Sequence, residues 1–497
     1  VVAARRLGGF VRLKLSSRKS DLARLQAYQV GERLAQEISD LKIEYRFRES
    51  LGDQNQEDPL WKMPSKGVFT EDFKAELLSG ETDMVVHSWK DLPTDLGGQT
   101  EIVATLPRAD AQDLLLFKKN SLNKNRLKIF SSSPRRSWNL SKLLPELFPN
   151  GTGAEVIFEN VRGNIQTRVK KLLQNENVDG LILAKAAMDR LLTAQATEFQ
   201  QTREFLKTAL QQLSWMVLPL SENPTAAAQG ALAVEVRTDR LELKKLISVI
   251  NCESTFLSAT HERNLLKAFG GGCHLALGMS HQNFQDFEVV TVKGKTPEGV
   301  EIFKHDLNLK KEKSRITIAQ ELCWSSSQLQ KSRNDLDVRL PENQGYVISR
   351  AESWNQKSPG YEYLWAAGIE TWKKLAARGY WVQGCFDSLG EDHQPPVKAL
   401  VPDLKWMTLT HQDHPYFDMN RHIATYKLDR KIGDLTKFRY FFWKSSSDFL
   451  KVLLDHPQII DFYHACGPGS TYQTIKSKIP LDQIRIFFNE NEWRKSL

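Results

Sequence analysis

Between residues 10 and 240 short β-rich runs alternate with stretches of helical period, and this alternation constrains the fold more than any other feature of the chain. Val11-Arg12-Leu13-Lys14-Leu15 alternates as a strand, and Ser20 or Asp21 can cap the helix that Leu22, Leu25 and Gln29 to Leu34 continue. Met84-Val85-Val86-His87 reads as a buried strand ending in the polar turn Ser88-Trp89-Lys90-Asp91-Leu92-Pro93, and Gly180-Leu181-Ile182-Leu183-Ala184 reads as another. Open α/β sheets place ligands just past strand ends. The stretch is therefore expected to form two α/β domains with a cleft between them.

A chain of 497 residues is too long for one hydrophobic core and implies three or four domains. Residues 241–325 carry a helical stretch through Asn264-Leu265-Leu266, the turn Gly270-Gly271-Gly272-Cys273 and alternating strands, and predict a small α+β third domain. The polar segment 326–339 reads as a linker. Residues 340–497 are of one-domain length and predict an additional C-terminal α/β domain. No fixed-period repeat is present.

Five cysteines (Cys252, Cys273, Cys323, Cys385, Cys466) lie far apart without a Cys-x-x-Cys pair, so neither a disulfide framework nor a zinc ribbon is expected. His411, His414 and His422 lie near Asp413 and Asp418 without metal-ligand spacing, and no metal is expected. No apolar run approaches the ~18 residues of a membrane span, and the basic opening Val1 to Arg6 is not followed by an apolar region of leader type. The expectation is a cytoplasmic monomer. The formal charge of +8 is spread along the chain, without the basic stripe that nucleic-acid binding asks for.

Basic residues recur near the predicted helix starts and strand ends of the first 200 residues: Arg18, Lys62, Lys66, Lys90, Arg135, Arg136, Arg162, Arg168 and Arg190. Arginine grips carboxylates bidentately and helix N-termini add N–H donors, so a polyanionic ligand is indicated. Phosphate is disfavoured because no Walker-type loop or dinucleotide fingerprint occurs.

Seven segments, in order, resemble the motifs of the hydroxymethylbilane synthase (porphobilinogen deaminase) family: Ser17 to Ala27, Lys66-Gly67-Val68-Phe69, Val86 to Pro93, Ser132-Ser133-Pro134-Arg135-Arg136, Arg162-Gly163-Asn164-Ile165-Gln166-Thr167-Arg168, Gln229 to Glu235, and Gly271-Gly272-Cys273. The resemblance covers roughly residues 10 to 325. It implies two periplasmic-binding-protein-like α/β domains, 10–110 plus 219–240 and 111–218, and a third domain that carries the cofactor.

The implied activity is a transferase that condenses four porphobilinogen molecules head to tail with loss of ammonia. It works on a dipyrromethane cofactor joined through Cys273, and hydrolysis then frees the linear tetrapyrrole. The resemblance assigns Asp91, as a buried carboxylate, to stabilising the azafulvene-like cation and assisting proton transfer. It assigns Arg135, Arg136, Lys90, Ser88 and Ser132 to the cofactor, and Arg18, Ser20, Arg162, Arg168, Arg190, Lys62 and Lys66 to the substrate's acid groups. A non-enzymatic two-domain anion-binding protein is the alternative.

The chain departs from the family pattern at Ser50-Leu51-Gly52-Asp53, Pro64-Ser65-Lys66-Gly67, Phe130 and Asn223 to Gly230, while Asp91, Cys273 and most of the arginines are retained. The tail shows a weaker similarity to uroporphyrinogen-III synthase, a family of two α/β domains. It rests on Gly345 to Arg350, Phe441 to Ser447 and Ala465 to Thr471.

Overall fold

The computed structural model describes residues 6–7, 10–49, 70–151, 153–272, 275–311, 316–355, 362–390, 394–414 and 417–497. They divide into two compact units, one made of 1–145, 153–283 and 289–305, the other of 146–152, 284–288 and 306–497.

In the first unit, strand Phe10–Arg18 runs parallel with Leu41–Arg48 along eight residue pairs and with Met84–Ser88 at Leu15 and Ser16. Strand Leu232–Arg237 lies antiparallel between Met84–Ser88 and Thr100–Ala104. Helix Asp21–Glu37 lays Ala27, Val30 and Leu34 on this sheet, and Leu13, Leu15, Met84, Val86, Val234 and Val236 meet them from the strands. Helix Leu241–Ser248 adds Leu243 and Ile247 to the same core. The boundary expected at 240 is thus too early: the apolar side of this helix is satisfied by the first sheet, not by the third domain.

The second sheet has the order Leu213–Leu218, Asp113–Lys118, Gly180–Ala184, Arg126–Phe130, Glu155–Glu159. Its first three strands are antiparallel neighbours and its last three are parallel. Every residue of Gly180–Ala184 is buried, as a central strand's uninterrupted apolar run requires. The third domain packs helix Glu253–Ala268 on a sheet of Ala276–Asn283, Phe287–Lys295 and Glu301–Leu309, around Leu277, Met279, Val290 and Val292.

The second unit corrects one expectation. Residues 326–339 are not a linker: Gln330–Asp335 pairs antiparallel with His422–Lys431, and just before the segment Cys323–Ser325 runs parallel with Tyr440–Trp443. The third domain therefore ends before 323. The side chains of 330–335 are mostly exposed, so the strand is held by its backbone and shows no apolar alternation.

The tail falls within this one compact unit and contains two sheets. One holds Cys323–Ser325, Tyr440–Trp443, Tyr463–Cys466 and Ile484–Ile486, all parallel. The other holds Gln330–Asp335, His422–Lys431, Trp406–His411, Gly345–Ile348, Tyr363–Ala366 and Gly384–Cys385. Trp443 and Trp493 are fully buried at the first sheet, as are Trp365 and Trp372 around the second. Indoles thus supply much of the apolar volume that short strands cannot.

Candidate active site

Strand Met84–Ser88 ends in a single 3-10 turn, Trp89–Asp91. Trp89 anchors it: its ring is buried 5.3 Å from that of Phe256, and its backbone N–H donates to Ala231 O at 3.0 Å. Arg263, on helix Glu253–Ala268, donates to Trp89 O at 3.3 Å, to Leu92 O at 2.8 Å and to Pro93 O. One buried guanidinium thereby fixes both ends of the turn. Asp91 at its crest is exposed, which corrects the expectation of a buried carboxylate: the supporting groups are buried and the carboxylate projects from them.

Ser88 beside it exchanges hydrogen bonds with Gln26, at 3.0 and 3.1 Å. Ser20 caps helix Asp21–Glu37, accepting from Ala23 N at 3.4 Å, a capping role for its hydroxyl. Arg18 ends the neighbouring strand.

The second sheet brings the other cations. Helix Ile165–Gln174 carries Arg168, whose Nε donates to Gly163 O at 2.8 Å. Burial, then the Arg136, Arg162 and Arg18 guanidiniums, push Arg168 down to about 10, while Asp91 pulls the other way. Lys90 is pushed down to about 8 by burial, with Asp91 opposing and Arg136 adding to the fall. Asp91, Lys90, Arg18, Arg136, Arg162 and Arg168 thus form one electrostatic neighbourhood in which positive charge is in excess. The Nε of Arg136 is buried without a hydrogen-bond partner among the described residues. Both observations fit a polycarboxylate group such as dipyrromethane.

Several predicted ligand residues already commit donors within the protein. Arg135 is 4% exposed; it donates to Asn223 Oδ1 at 3.2 Å, to Pro224 O at 3.0 Å and to Asp113 at 2.9 Å. Arg136 gives one nitrogen to Asp113 at 2.6 Å and another to Ile182 O at 3.3 Å. Ser132 is shared with the backbone of Val161, donating at 2.7 Å and accepting at 2.9 Å. Arg190 donates to Gly230 O at 2.9 Å, and burial pushes it down to about 10.

These contacts surround two chain passes, 105–112 and 219–231, that join the two α/β domains. Gln229 accepts from Lys90 at 3.1 Å and donates to Asp113 at 2.9 Å and to Ala111 O at 2.7 Å. Gly230 has φ +88°, and a Cβ there would lie 2.4 Å from Ala109 O, so no other residue fits without strain. Glu262 is fully buried and accepts both nitrogens of Arg108 at 2.8 Å, Ala228 N at 2.7 Å and His281 N at 2.8 Å.

Asp113, Gln26, Arg108, Glu262 and Arg263 were missed by sequence reasoning. Gln26 lies inside the motif Ser17 to Ala27 without a role of its own, Arg108 lies in the pass 105–112, and the others are single charged residues inside helices or strands; only a charge at a predicted core position could have drawn attention to them.

Cys273, Lys62 and Lys66 lie outside the described residues, as do the departures at 50–53 and 64–67. The glycines that lead into Cys273 are described. Gly270, Gly271 and Gly272 all have positive φ, and a Cβ on Gly271 would stand 2.8 Å from the hydroxyl of Thr94, three residues after Asp91.

The family model described as porphobilinogen deaminase, dipyromethane cofactor binding domain, matches residues 13–245. The porphobilinogen deaminase of Syntrophomonas wolfei is 36% identical over 267 residues, covering 53% of this chain and 78% of the relative. That of Chlorobium phaeobacteroides is 32% identical over 321 residues, covering 63% and 94%. Among solved structures, a probable amino-acid ABC transporter extracellular-binding protein of Bacillus subtilis is 10% identical over 52% of this chain and 97% of its own; the TM-score of 0.27 is too low to carry an inference.

Proposed function

Because the chain belongs to the porphobilinogen deaminase family, a family of transferases that use a dipyrromethane cofactor, we propose that the Asp91 turn is its reaction centre and that Cys273 holds the cofactor. The observation that carries this reading is the cationic group of Arg18, Lys90, Arg136, Arg162 and Arg168 gathered around the exposed Asp91 carboxylate. When bound, the cofactor supplies the pyrrole carbon that the next ring joins.

The chain's own groups do the rest. The guanidiniums and Lys90 hold acetate and propionate groups, and Asp91 Oδ accepts pyrrole N–H bonds and offsets the positive charge that develops as ammonia leaves. Asp91 would also take and return the proton that each condensation moves. Intact-mass measurement of protein made in a porphyrin-producing host is expected to show an increment of two pyrrole units, lost in Cys273→Ser. Asp91→Asn is expected to keep the increment and lose nearly all turnover. An unmodified wild-type mass, or normal turnover in Asp91→Asn, would overturn the assignment.

For the tail, a second reading has its own support. Ser349-Arg350, Ser445 to Ser447 and Gly467 to Thr471 all follow the C-terminal ends of parallel strands, where α/β sheets bind ligands. Arg350, Lys331, Arg430 and His411 share one electrostatic neighbourhood in which Asp448 is the carboxylate. The presence of two sheets supports a likeness to the two α/β layers of uroporphyrinogen-III synthase. We propose that this unit closes hydroxymethylbilane with inversion of one ring. The full chain fed porphobilinogen should then give the type III isomer on chromatography of the oxidised products, and Arg350→Ala should shift the product toward type I. Type I from the unaltered chain would remove this activity.

A further inference from the structure

Asp113 opens strand Asp113–Lys118, opposite Leu218 and Ala184 in the two antiparallel neighbours, at the edge of the second sheet from which both chain passes leave. It is fully buried. Oδ1 accepts from Arg136 at 2.6 Å and from Gln229 at 2.9 Å; Oδ2 accepts from Arg135 at 2.9 Å and from Asn223 at 3.0 Å. A carboxylate offers about four acceptor sites, so these donors fill it and none is left for a ligand. Burial alone would raise its pKa, but the two guanidiniums and the hydrogen bonds from Arg136 and Gln229 hold it well below the usual carboxylate range.

We infer that Asp113 is a positioning residue of the deaminase reaction, holding Arg135 and Arg136 directly and Lys90 through Gln229 in one fixed arrangement beside the Asp91 turn. The inference rests on the proposed role of that turn. Three cations crowded at this distance repel one another, and burial of their stems leaves no solvent to relieve it. A carboxylate with four filled acceptor sites neutralises one charge and ties together helix Pro134–Leu147, which carries Arg135 and Arg136, the pass that carries Asn223 and Gln229, and through Gln229 the turn after Ser88. Arg135 commits three of its five N–H donors to Asp113, Asn223 and Pro224, which leaves two to face a ligand.

Charge and position predict opposite effects, which makes the role testable in the full-length protein. Asp113→Asn adds one net positive charge to the site. If Asp113 acted only through its field, the added charge would tighten the hold on an anionic substrate and lower KM. If it only supported the fold, the loaded fraction would fall while kcat/KM per cofactor-bearing molecule stayed constant. As a positioning residue its loss should instead cut kcat/KM per loaded molecule by about tenfold to a hundredfold, since small misplacements of binding groups carry penalties of that size.

Steady-state formation of hydroxymethylbilane, normalised to cofactor occupancy by intact mass, separates these cases. A lowered KM or an unchanged kcat/KM overturns the inference. Should Asp113→Asn not yield folded protein, Gln229→Met decides in its place, because it cuts the link to Lys90 while leaving both arginine pairs. About a tenfold fall in kcat/KM supports the inference, and a wild-type value overturns it. Arg136→Ala tests the underlying reading separately: normal kinetics there would overturn both.

Discussion

Arg263 stands on a helix of the segment expected to form the third domain, and no motif includes it, although three backbone carbonyls of the Asp91 turn depend on it. Hydrogen bonds from a charged donor contribute about 1.5–3 kcal/mol each when well formed. The bond to Trp89 O at 3.3 Å counts for little, and Leu92 O and Pro93 O share one nitrogen, so Arg263→Ala should remove about 3 kcal/mol of local stability. The buried Trp89 ring and the backbone N–H bond of Trp89 to Ala231 O remain, so the loss falls on residues 90–94 rather than on the whole domain.

Three kcal/mol corresponds to roughly a hundredfold increase in local opening. Hydrogen exchange followed by mass spectrometry should show that acceleration in the peptide containing Leu92, with neighbouring strands unchanged. Turnover should fall by about tenfold to a hundredfold, because Asp91 would sample positions away from its ligand. Arg263→Lys reaches fewer carbonyls and should fall between. Unchanged exchange at 90–94 together with normal turnover would refute the argument that this guanidinium sets the turn.

At Gly230, replacement by alanine forces a side chain into positive φ and against Ala109 O; a stability loss of at least about 2 kcal/mol is expected. Urea denaturation followed by indole fluorescence checks it, and an unshifted midpoint would count against a rigid pass at this point. In the tail, burial pushes His411, His414 and His464 down to about 4. His464 Nδ1 accepts from Trp443 Nε1 at 2.9 Å, so its proton sits on Nε2, facing Ile459 O at 3.0 Å, and a second proton would break the indole bond. With folded-state pKa values below unfolded ones, the unfolded state binds more protons between about pH 4 and 6.5. Stability should therefore be complete above that window and fall as pH drops through it; a melting temperature of the tail that is flat from pH 7 to 4.5 would contradict this.

What could be read from the sequence and what could not divides along physical lines. Strand Met84–Ser88 and the polar turn after it were legible because a buried strand must be apolar and its end must stop being so. The cap at Ser20 was legible for its local chemistry. Strand Gln330–Asp335 was misread as linker because an exposed polar strand carries no period-two signal; its order comes from backbone pairing with a partner some ninety residues later. Arg135 was legible as a cation near a helix start, but its engagement by Asp113 was not, since the two are brought together only by the sheet edge. The exposure of Asp91 was likewise beyond sequence, because burial of a turn depends on what packs under it.

The strand orders also bear on how the chain is made. The four-stranded sheet of the tail begins with Cys323–Ser325, yet the strand that pairs with it is Tyr440–Trp443, and the indole of Trp493 fills its core. On a ribosome the first of these strands emerges long before its neighbour exists, and the whole six-stranded sheet is translated in the interval. The first α/β domain meets the same delay, since Leu232–Arg237 enters between two strands made before the second domain. Each nested sheet can complete while the sheet that encloses it is still an open edge, so holdase chaperones should find their longest-lived substrate in the outer sheets, and a stalled nascent chain that has emerged from the ribosome as far as about residue 435 should display a folded inner lobe beside an unpaired strand.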